Sequence, residues 1–184
     1  MNIFYLDLNP NTNAKYHVDK HCVKMILEYA QLLCTAHRYL DGKETIRTSA
    51  TGRKQKRWVL DSDLDGILYK ATHINHPSAV WARASLSNYM WLSHMLVELC
   101  KEYTYRYGKV HKCEQSGLVY TLLITVPKNI SNNDFTEPTP AMPDIYKVAG
   151  NSIQSYHNYY NGDKRRMFSW KNRDVPYFIT VELL

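Results

Sequence analysis

Residues 14–40 carry hydrophobic and polar side chains with the period of an α-helix. One row of positions is apolar and consists of Val18, Cys22, Met25, Tyr29, Leu32, Ala36 and Tyr39. The neighbouring row is polar, at steps of three and four, and consists of His17, His21, Lys24, Glu28, Gln31, Thr35 and Arg38. Such steps keep side chains on one helical face. The pattern predicts one long amphipathic helix over 14–40, capped by Thr12 or Asn13 and ended by Asp41-Gly42.

The same periodicity predicts a mainly α fold for the remaining chain. A second long helix is expected over 77–107, with Pro77 in its first turn and Gly108 after its end. Shorter helices are expected at about 64–70, 112–124 and 149–161. Residues 127–144, rich in Pro and Asn, predict a long ordered loop. Residues 43–58 predict a mobile basic loop.

The fold class expected from these elements is a compact, single-domain helical bundle spanning residues 1–184, with long first and second helices. Any β structure should be small, at most a two-stranded element formed by the termini, residues 3–8 and 177–184. A chain of 184 residues is long enough to bury a substantial core. The sequence has no internal repeat and no change of composition that would mark a domain boundary.

The net charge and the cysteine content indicate which partners and which cellular compartment to expect. The formal net charge of +6 favours an anionic partner, with nucleic acid first. The four cysteines have no CxxC spacing, which indicates reduced thiols. The N-terminal residues do not resemble a signal peptide, and no apolar run approaches membrane-spanning length. These features predict a cytoplasmic protein with no membrane association, and they say nothing about oligomeric state.

The polar row on the first helix is the main candidate for a catalytic site. The residues expected to be catalytic are His17, Lys20, His21, Lys24 and Glu28. Lys20, Lys24 or the terminal amine could attack C1′ of a deoxyribose, with Glu28 or Asp19 as the acid–base group and His21 as the proton carrier. The alternative is an ordinary solvated face, in which Lys24 and Glu28 form a common i,i+4 pair.

A second set of residues is expected to bind substrate. Lysines and arginines of the 43–58 segment could contact phosphates, and the start of the helix at Pro77 offers free N–H groups beside the His73–His76 turn. The residues predicted from these features and from the basic tail are Gln31, Arg38, Arg53, Lys54, Arg57, His73, Asn75, His76, Arg83 and Arg173.

Metal chemistry is a further alternative. His17 and His21, four residues apart, have the helical spacing of a metal-binding pair, and His73 and His76 could add ligands. The pair lacks the glutamate of the HExxH motif. A metal-dependent hydrolase is therefore kept as an alternative, while the main prediction includes no metal and no cofactor. The chain has no Walker glycine loop and no GxSxG motif.

The order of these features resembles the small phage pyrimidine-dimer DNA glycosylase/AP-lyase, the ultraviolet-repair endonuclease. The resemblance rests on Ala14-Lys15-Tyr16-His17 at the first helix, His76-Pro77-Ser78 before a long helix that ends in Arg106-Tyr107-Gly108, and the tail Trp170-Lys171-Asn172-Arg173. Residues 17–25, 75–81 and 140–147 also resemble a group of phage proteins without an assigned activity. The last of these motifs adds Asp144 and Lys147 to the expected substrate-binding residues.

The resemblance implies an enzyme that cleaves an N-glycosidic bond in DNA or a nucleotide, in the cytoplasm of an infected host cell. The chain departs from the glycosylase at two points. Residue 2 is Asn2, whose bulk normally leaves Met1 in place, whereas the glycosylase uses the amine of a small residue exposed by methionine removal. The first helix lacks the expected glutamate and arginines, and its nearest acid is Glu28. A non-catalytic DNA-binding protein is the alternative from another class.

Overall fold

The computed structural model describes residues 1–180 and confirms the mainly α class. Its helices are α1 Pro10–Tyr16, α2 Asp19–Asp41, α3 Leu64–Ile67, α4 Pro77–Ala82, α5 Leu86–Tyr107, α6 Lys112–Gln115, α7 Leu118–Ile124 and α8 Ser152–Asn161. The strands are β1 Lys43–Thr48 and β2 Lys54–Val59, and short 3-10 turns occur at Asp144–Tyr146 and Arg165–Met167. The core lies where α2 packs on α5, with α1, α4 and α7 around them.

The predicted helix over 14–40 is divided in two at His17 and Val18, which have extended backbones. A long-range contact holds this break. Arg106 of α5 is fully buried and donates to the carbonyl oxygens of Lys15 and His17, at 2.9 and 2.8 Å. Those carbonyls would otherwise accept hydrogen bonds from the next helical turn. The prediction of one continuous helix was therefore wrong, because its reason for ending lies about 90 residues away in sequence.

The predicted helices over 77–107 and 112–124 are also each divided in two. Ser85 caps α5 by accepting from the Asn88 N–H, and the Asn88 side chain donates to the Trp81 carbonyl at the end of α4. Gly117 has a φ of +79° between α6 and α7, a left-handed conformation that favours glycine. At these positions the two predicted helices are interrupted, and each forms two shorter helices.

The two-stranded element exists, but the termini do not form it. β1 and β2 pair antiparallel with Lys43 opposite Val59 and Thr48 opposite Lys54, and residues 49–53 close the hairpin. The expectation of a mobile loop over 43–58 was thus wrong. Thr45, Ile46 and Thr48 are β-branched and favour strand, a signal that the basic residues obscured.

The N-terminal segment is buried in the core but does not form a strand. Residues Ile3–Leu6 are consecutively buried in the core. Side chains complete its hydrogen bonds, because the N–H groups of Phe4 and Leu6 donate to Tyr29 and Asn13, and His157 bonds to the Leu6 carbonyl. Tyr177 and Phe178 form a turn, and residues 181–184 of the predicted C-terminal strand lie outside the described part of the chain.

The Pro- and Asn-rich segment 127–144 is an ordered loop, as predicted. The Ser131 carbonyl accepts from the Leu86 N–H, and the Thr136 carbonyl accepts from the Trp81 indole. Within residues 1–180, none of the helices combines the length and apolar character needed to cross a bilayer.

Candidate functional site

A cleft of about 340 Å³ lies between the first half of α2, the N-terminus and the turn after α8. Four of the five residues predicted to be catalytic line it: Lys20, His21, Lys24 and Glu28. Its other lining residues are Met1, Asn2, Phe4, Met25, Lys164, Arg166 and Met167. The volume is within the range of roughly 300–1,000 Å³ typical of small-molecule sites. We refer to it as the Glu28 cleft.

Two ammonium groups contact Glu28 in this cleft. The Lys24 Nζ lies 3.1 Å from one carboxylate oxygen, and the Met1 amine lies 3.8 Å from the other. The Glu28 side chain is 14% exposed, whereas that of Lys24 is 71% exposed. A largely buried carboxylate thus lies between two ammonium groups.

The remaining charge in the Glu28 cleft is positive. The lining includes the Met1 amine, Lys20, Lys24, Lys164 and Arg166, and among the described residues Glu28 supplies its only carboxylate. The Lys164 ammonium also lies over the ring of Tyr159, at 4.3 Å from its centroid. Several positive groups against one negative group make this cleft attractive to an anion such as a phosphate.

His21 belongs to the wall of the cleft, but its environment disfavours the predicted role as a proton carrier. Its ring stacks on Phe4 at 4.0 Å between centroids, and its Nδ1 shares a hydrogen bond with the Tyr160 hydroxyl at 2.8 Å. Burial, with nearby positive charges, lowers the pKa of His21 to about 2. An imidazole that stays neutral across the physiological range can accept or donate a hydrogen bond but cannot deliver a proton as an imidazolium.

His17 is fully buried and is not part of the cleft. Its Nδ1 lies 2.8 Å from the Asn13 carbonyl, so Nδ1 carries the proton and donates. Its Nε2 therefore accepts from the Tyr29 hydroxyl at 3.1 Å. Burial lowers the pKa of His17 to about 4. Both ring nitrogens thus bond within the core, and the structure does not bring His17 together with the other residues predicted to be catalytic.

The metal alternative built on His17 and His21 fails for the same reason. A coordinating imidazole needs a free nitrogen lone pair, and His17 has none. Across residues 1–180, no three or more His, Cys, Asp or Glu side chains are grouped in a way that could hold a metal ion.

The His73–His76 turn lies on the same side of α2 as Glu28. Thr35 of α2 fixes the start of this segment, because its hydroxyl exchanges hydrogen bonds with the backbone of Thr72. Burial lowers the pKa of His76, and the charges of the terminal amine and His73 add to that shift while Glu28 opposes it. His76 is therefore within electrostatic range of both groups of the amine–carboxylate contact, although the turn does not line the cleft itself.

His73 has a φ of +48°, which is uncommon for a residue with a side chain. Its ring bonds to the Thr72 hydroxyl at 2.7 Å. Asn75 is exposed beside it. The turn is a strained, solvent-facing feature next to the Glu28 cleft.

Gln31 and Arg38 continue the polar row but have different roles. Gln31 lines a second cleft along α2 with residues 66–70 and Thr72. Arg38 is 5% exposed and uses its guanidinium on five acceptors at 2.5 to 2.9 Å, namely the carbonyls of Trp58, Asp65, Leu68 and Tyr69 and the Asp65 carboxylate. A guanidinium has five N–H groups. All five N–H groups of Arg38 thus bond within the protein, and these contacts give its predicted binding role no support.

Other residues predicted to bind substrate are dispersed. Arg53, Lys54 and Arg57 belong to the hairpin, at the opposite end of α2. Arg83 donates to the Ile74 carbonyl and stacks on Tyr39, and Arg173 pairs with Glu102 and stacks on Tyr105. Neither arginine lines the Glu28 cleft, and their binding roles stay predictions.

Asp144 and Lys147 pair with each other, at 2.8 Å, on an exposed 3-10 turn. The Glu28 cleft does not include either of them. They therefore contribute nothing to the site as predicted.

The sequence offers the basic run Lys164–Arg166 for phosphate recognition, but it does not indicate that Lys164 and Arg166 lie beside the polar row of α2. The basic run after α8 is the only feature of the sequence that points to these two residues. Their position beside Lys20 depends on how the segment after α8 packs against α2. Comparison with known protein families, with curated proteins and with solved structures gives no match for this chain, so the family resemblance drawn from its motifs stays a prediction.

Proposed function

We propose that this protein is an enzyme that acts on DNA or nucleotides and cleaves an N-glycosidic bond. The observation that carries the proposal is the contact of two ammonium groups with Glu28 in a cleft that is otherwise lined by cations. An amine beside a carboxylate provides a nucleophile and an acid–base group within reach of each other. The surrounding cations provide phosphate binding.

The proposed reaction uses both groups. Glu28 takes a proton from the ammonium of Lys24 or Met1, and the freed amine attacks C1′ of the deoxyribose. A C1′–N bond to the enzyme forms while the bond to the base breaks, and the base leaves with the electron pair. Glu28 returns its proton to the departing base, so protons balance. Opening of the sugar ring gives an imine at C1′, which water hydrolyses.

The charge distribution supports a binding role for the other cations of the cleft. Lys20, Lys164 and Arg166 have no carboxylate partner among the contacts of residues 1–180. A phosphate beside them would hold its sugar close to Glu28. Phosphate contacts of this kind position a substrate without reading its sequence.

The test combines base release with chemical trapping. The protein is incubated with duplex DNA that contains pyrimidine dimers, with undamaged DNA and with deoxynucleotides, and released base is measured by chromatography. Borohydride should reduce the imine and leave a covalent adduct. Peptide mapping of that adduct then shows whether Lys24 or Met1 is the nucleophile.

Glu28→Gln should lower the rate by at least about 100-fold, because acid–base groups typically contribute about 10²–10⁴-fold. Glu98→Gln is the matched control. Glu98 is also paired with a lysine on its own helix, at 2.6 Å, and its side chain is 18% exposed, but it lies outside the cleft. Absence of base release from every substrate, or equal losses in the two variants, would reject the proposal.

A non-catalytic DNA-binding protein is the second candidate, and the hairpin favours it. Six of the residues between 43 and 57 are Lys or Arg, against one acid, Glu44, which pairs with Lys56. A two-stranded ribbon of this kind can enter the major groove of DNA. Under this alternative the protein binds DNA without releasing base, and Glu28→Gln leaves the affinity unchanged.

A further inference from the structure

We infer that the base of the hairpin holds a second phosphate-binding site, which makes the substrate a polynucleotide and not a free nucleotide. The inference rests on the proposed function of the Glu28 cleft. It adds a residue set that the polar row does not contain: Arg47 of β1, Arg57 of β2 and Lys70.

These three residues line a pocket of about 110 Å³ between the hairpin and the segment after α3. Trp58, Val59 and Ala71 contribute apolar surface, and Arg38 with Asp65 completes the lining. The volume is well below the roughly 300–1,000 Å³ of typical small-molecule sites. It suits a small group, such as one phosphate, better than a whole nucleotide.

The charge of this pocket is uncompensated. Arg38 and Asp65 form a closed pair at 2.6 Å and cancel each other. Arg47 and Lys70 make no ion pair among the described residues, and the Arg57 guanidinium bonds only to neutral oxygens, those of the Gln55 side chain and the Lys56 backbone. Like charges that converge on one pocket repel each other, and an anion between them removes that repulsion. Arginine forks also fit phosphate oxygens geometrically.

The pocket lies on the same face of α2 as the Glu28 cleft. Lys70, Arg38 and Asp65 line both this pocket and the second cleft, and the second cleft reaches Gln31, which is one turn from Glu28. Three clefts therefore follow one another along a single helix face. At 1.5 Å per residue, the axial distance from Lys24 to Arg38 is about 21 Å.

That distance identifies the class of substrate. One strand of a DNA duplex advances about 3.4 Å per nucleotide along the axis, so about 21 Å corresponds to roughly six nucleotide steps. A single nucleotide is too short to bridge an axial distance of about 21 Å. A polynucleotide can place one sugar at Glu28 and a backbone phosphate of the same molecule at the hairpin base.

The test measures how one double variant changes the affinity of the protein for two probes. Affinity for a DNA duplex of about 16 base pairs, long enough to span the roughly six steps between the sites, and for thymidine monophosphate is measured over a series of salt concentrations, by fluorescence anisotropy and calorimetry. The variant is Arg47→Ser with Lys70→Ser, which keeps Arg57 and its hydrogen bonds within the hairpin. The control is Lys101→Ser with Lys109→Ser, which removes the same charge outside the three clefts.

We expect the double variant to bind the duplex at least about tenfold more weakly, since charge-assisted hydrogen bonds to phosphate are among the strong hydrogen bonds of proteins. The slope of log affinity against log salt should decrease in magnitude by about 0.9 for each DNA phosphate that the variant no longer neutralises. Affinity for thymidine monophosphate should not change.

Three results would overturn the inference. Unchanged duplex affinity would show that no phosphate binds at the hairpin base. An equal reduction for thymidine monophosphate would show a site for free nucleotide or phosphate. An equal reduction of duplex affinity in the control variant would show that the affinity depends only on the overall charge of the protein. Because base release is measured separately with Glu28→Gln, each of these results leaves the test of the proposed function intact.

Discussion

The free energy of unfolding should fall steeply between pH 7 and pH 5, because two histidines are buried in the neutral form. Burial lowers the pKa of His17 to about 4 and, with adjacent positive charges, that of His21 to about 2. Histidine in an unfolded chain has a pKa near 6.5. Acidification therefore acts on the unfolded chain before it acts on the folded protein.

The sign follows from proton counting. Between about pH 6.5 and the lowered pKa, the unfolded chain binds a proton at each histidine and the folded chain does not. Stability is then fully present above about pH 6.5 and decreases as the pH falls. At pH 5, about 1.5 pH units below the unfolded value, each histidine should cost about 2 kcal/mol. The two together cost about 4 kcal/mol, a large part of the roughly 5–15 kcal/mol typical of a domain.

The assay is urea unfolding followed by circular dichroism at pH 7, 6 and 5. His17→Gln removes one of the two groups, so its decrease in stability between pH 7 and 5 should be about 2 kcal/mol smaller than that of the wild-type protein. His94→Gln is the control, because His94 is exposed. His37, His111 and His157 also have pKa values lowered by burial and should add to the wild-type decrease in the same direction.

A wild-type decrease below about 1 kcal/mol would refute this reasoning, because it would mean that neither histidine is held neutral by the fold. An equal pH dependence in His17→Gln and the wild-type protein would show that His17 in particular is not the responsible group.

Two further substitutions test the buried arginines. Arg38→Ala should lower the free energy of unfolding by about 1–3 kcal/mol, because it leaves the buried Leu68 carbonyl without its donor, whereas the Asp65 carboxylate is exposed enough for water to solvate it; a change in DNA affinity with unchanged urea unfolding would contradict the structural role. Arg106→Met should cost more, about 3–5 kcal/mol, because Arg106 is fully buried on Glu102, Asp19 and two carbonyls. Urea unfolding should show no comparable decrease in Lys101→Ala, whose ion pair is exposed, and an equal decrease there would contradict the assignment.

The fold class could be predicted from the sequence because helical periodicity is a local property. The ends of the helices could not, because distant residues determine some of them. Nothing near His17 indicates a break; Arg106 causes it by donating to two carbonyls that a continuous helix would use. Where the reason for an end is local, as at Gly117, the sequence does contain a signal.

The hairpin could not be predicted from the sequence for a different reason. Its lysines and arginines indicate solvent exposure, and exposure by itself favours the prediction of a mobile loop. An isolated ribbon with charged side chains on both strands is also exposed, and only the β-branched residues and Gly52, with a φ of +77° in the turn, distinguish the two. Charge therefore predicts where these residues lie but not how their backbone is paired.

Some residues of the polar row of α2 line the candidate site, and others bond only within the protein. One physical criterion separates these two groups. A titratable side chain whose hydrogen-bonding groups are all satisfied by the protein has nothing left to offer a substrate. His17 and Arg38, at the two ends of the row, are in that condition. Lys24 and Glu28, between them, bond only to each other and to the terminal amine among the described residues. Periodicity could place all four on one face, but only the tertiary structure shows that Lys24 and Glu28 retain free donors and acceptors where they line the Glu28 cleft.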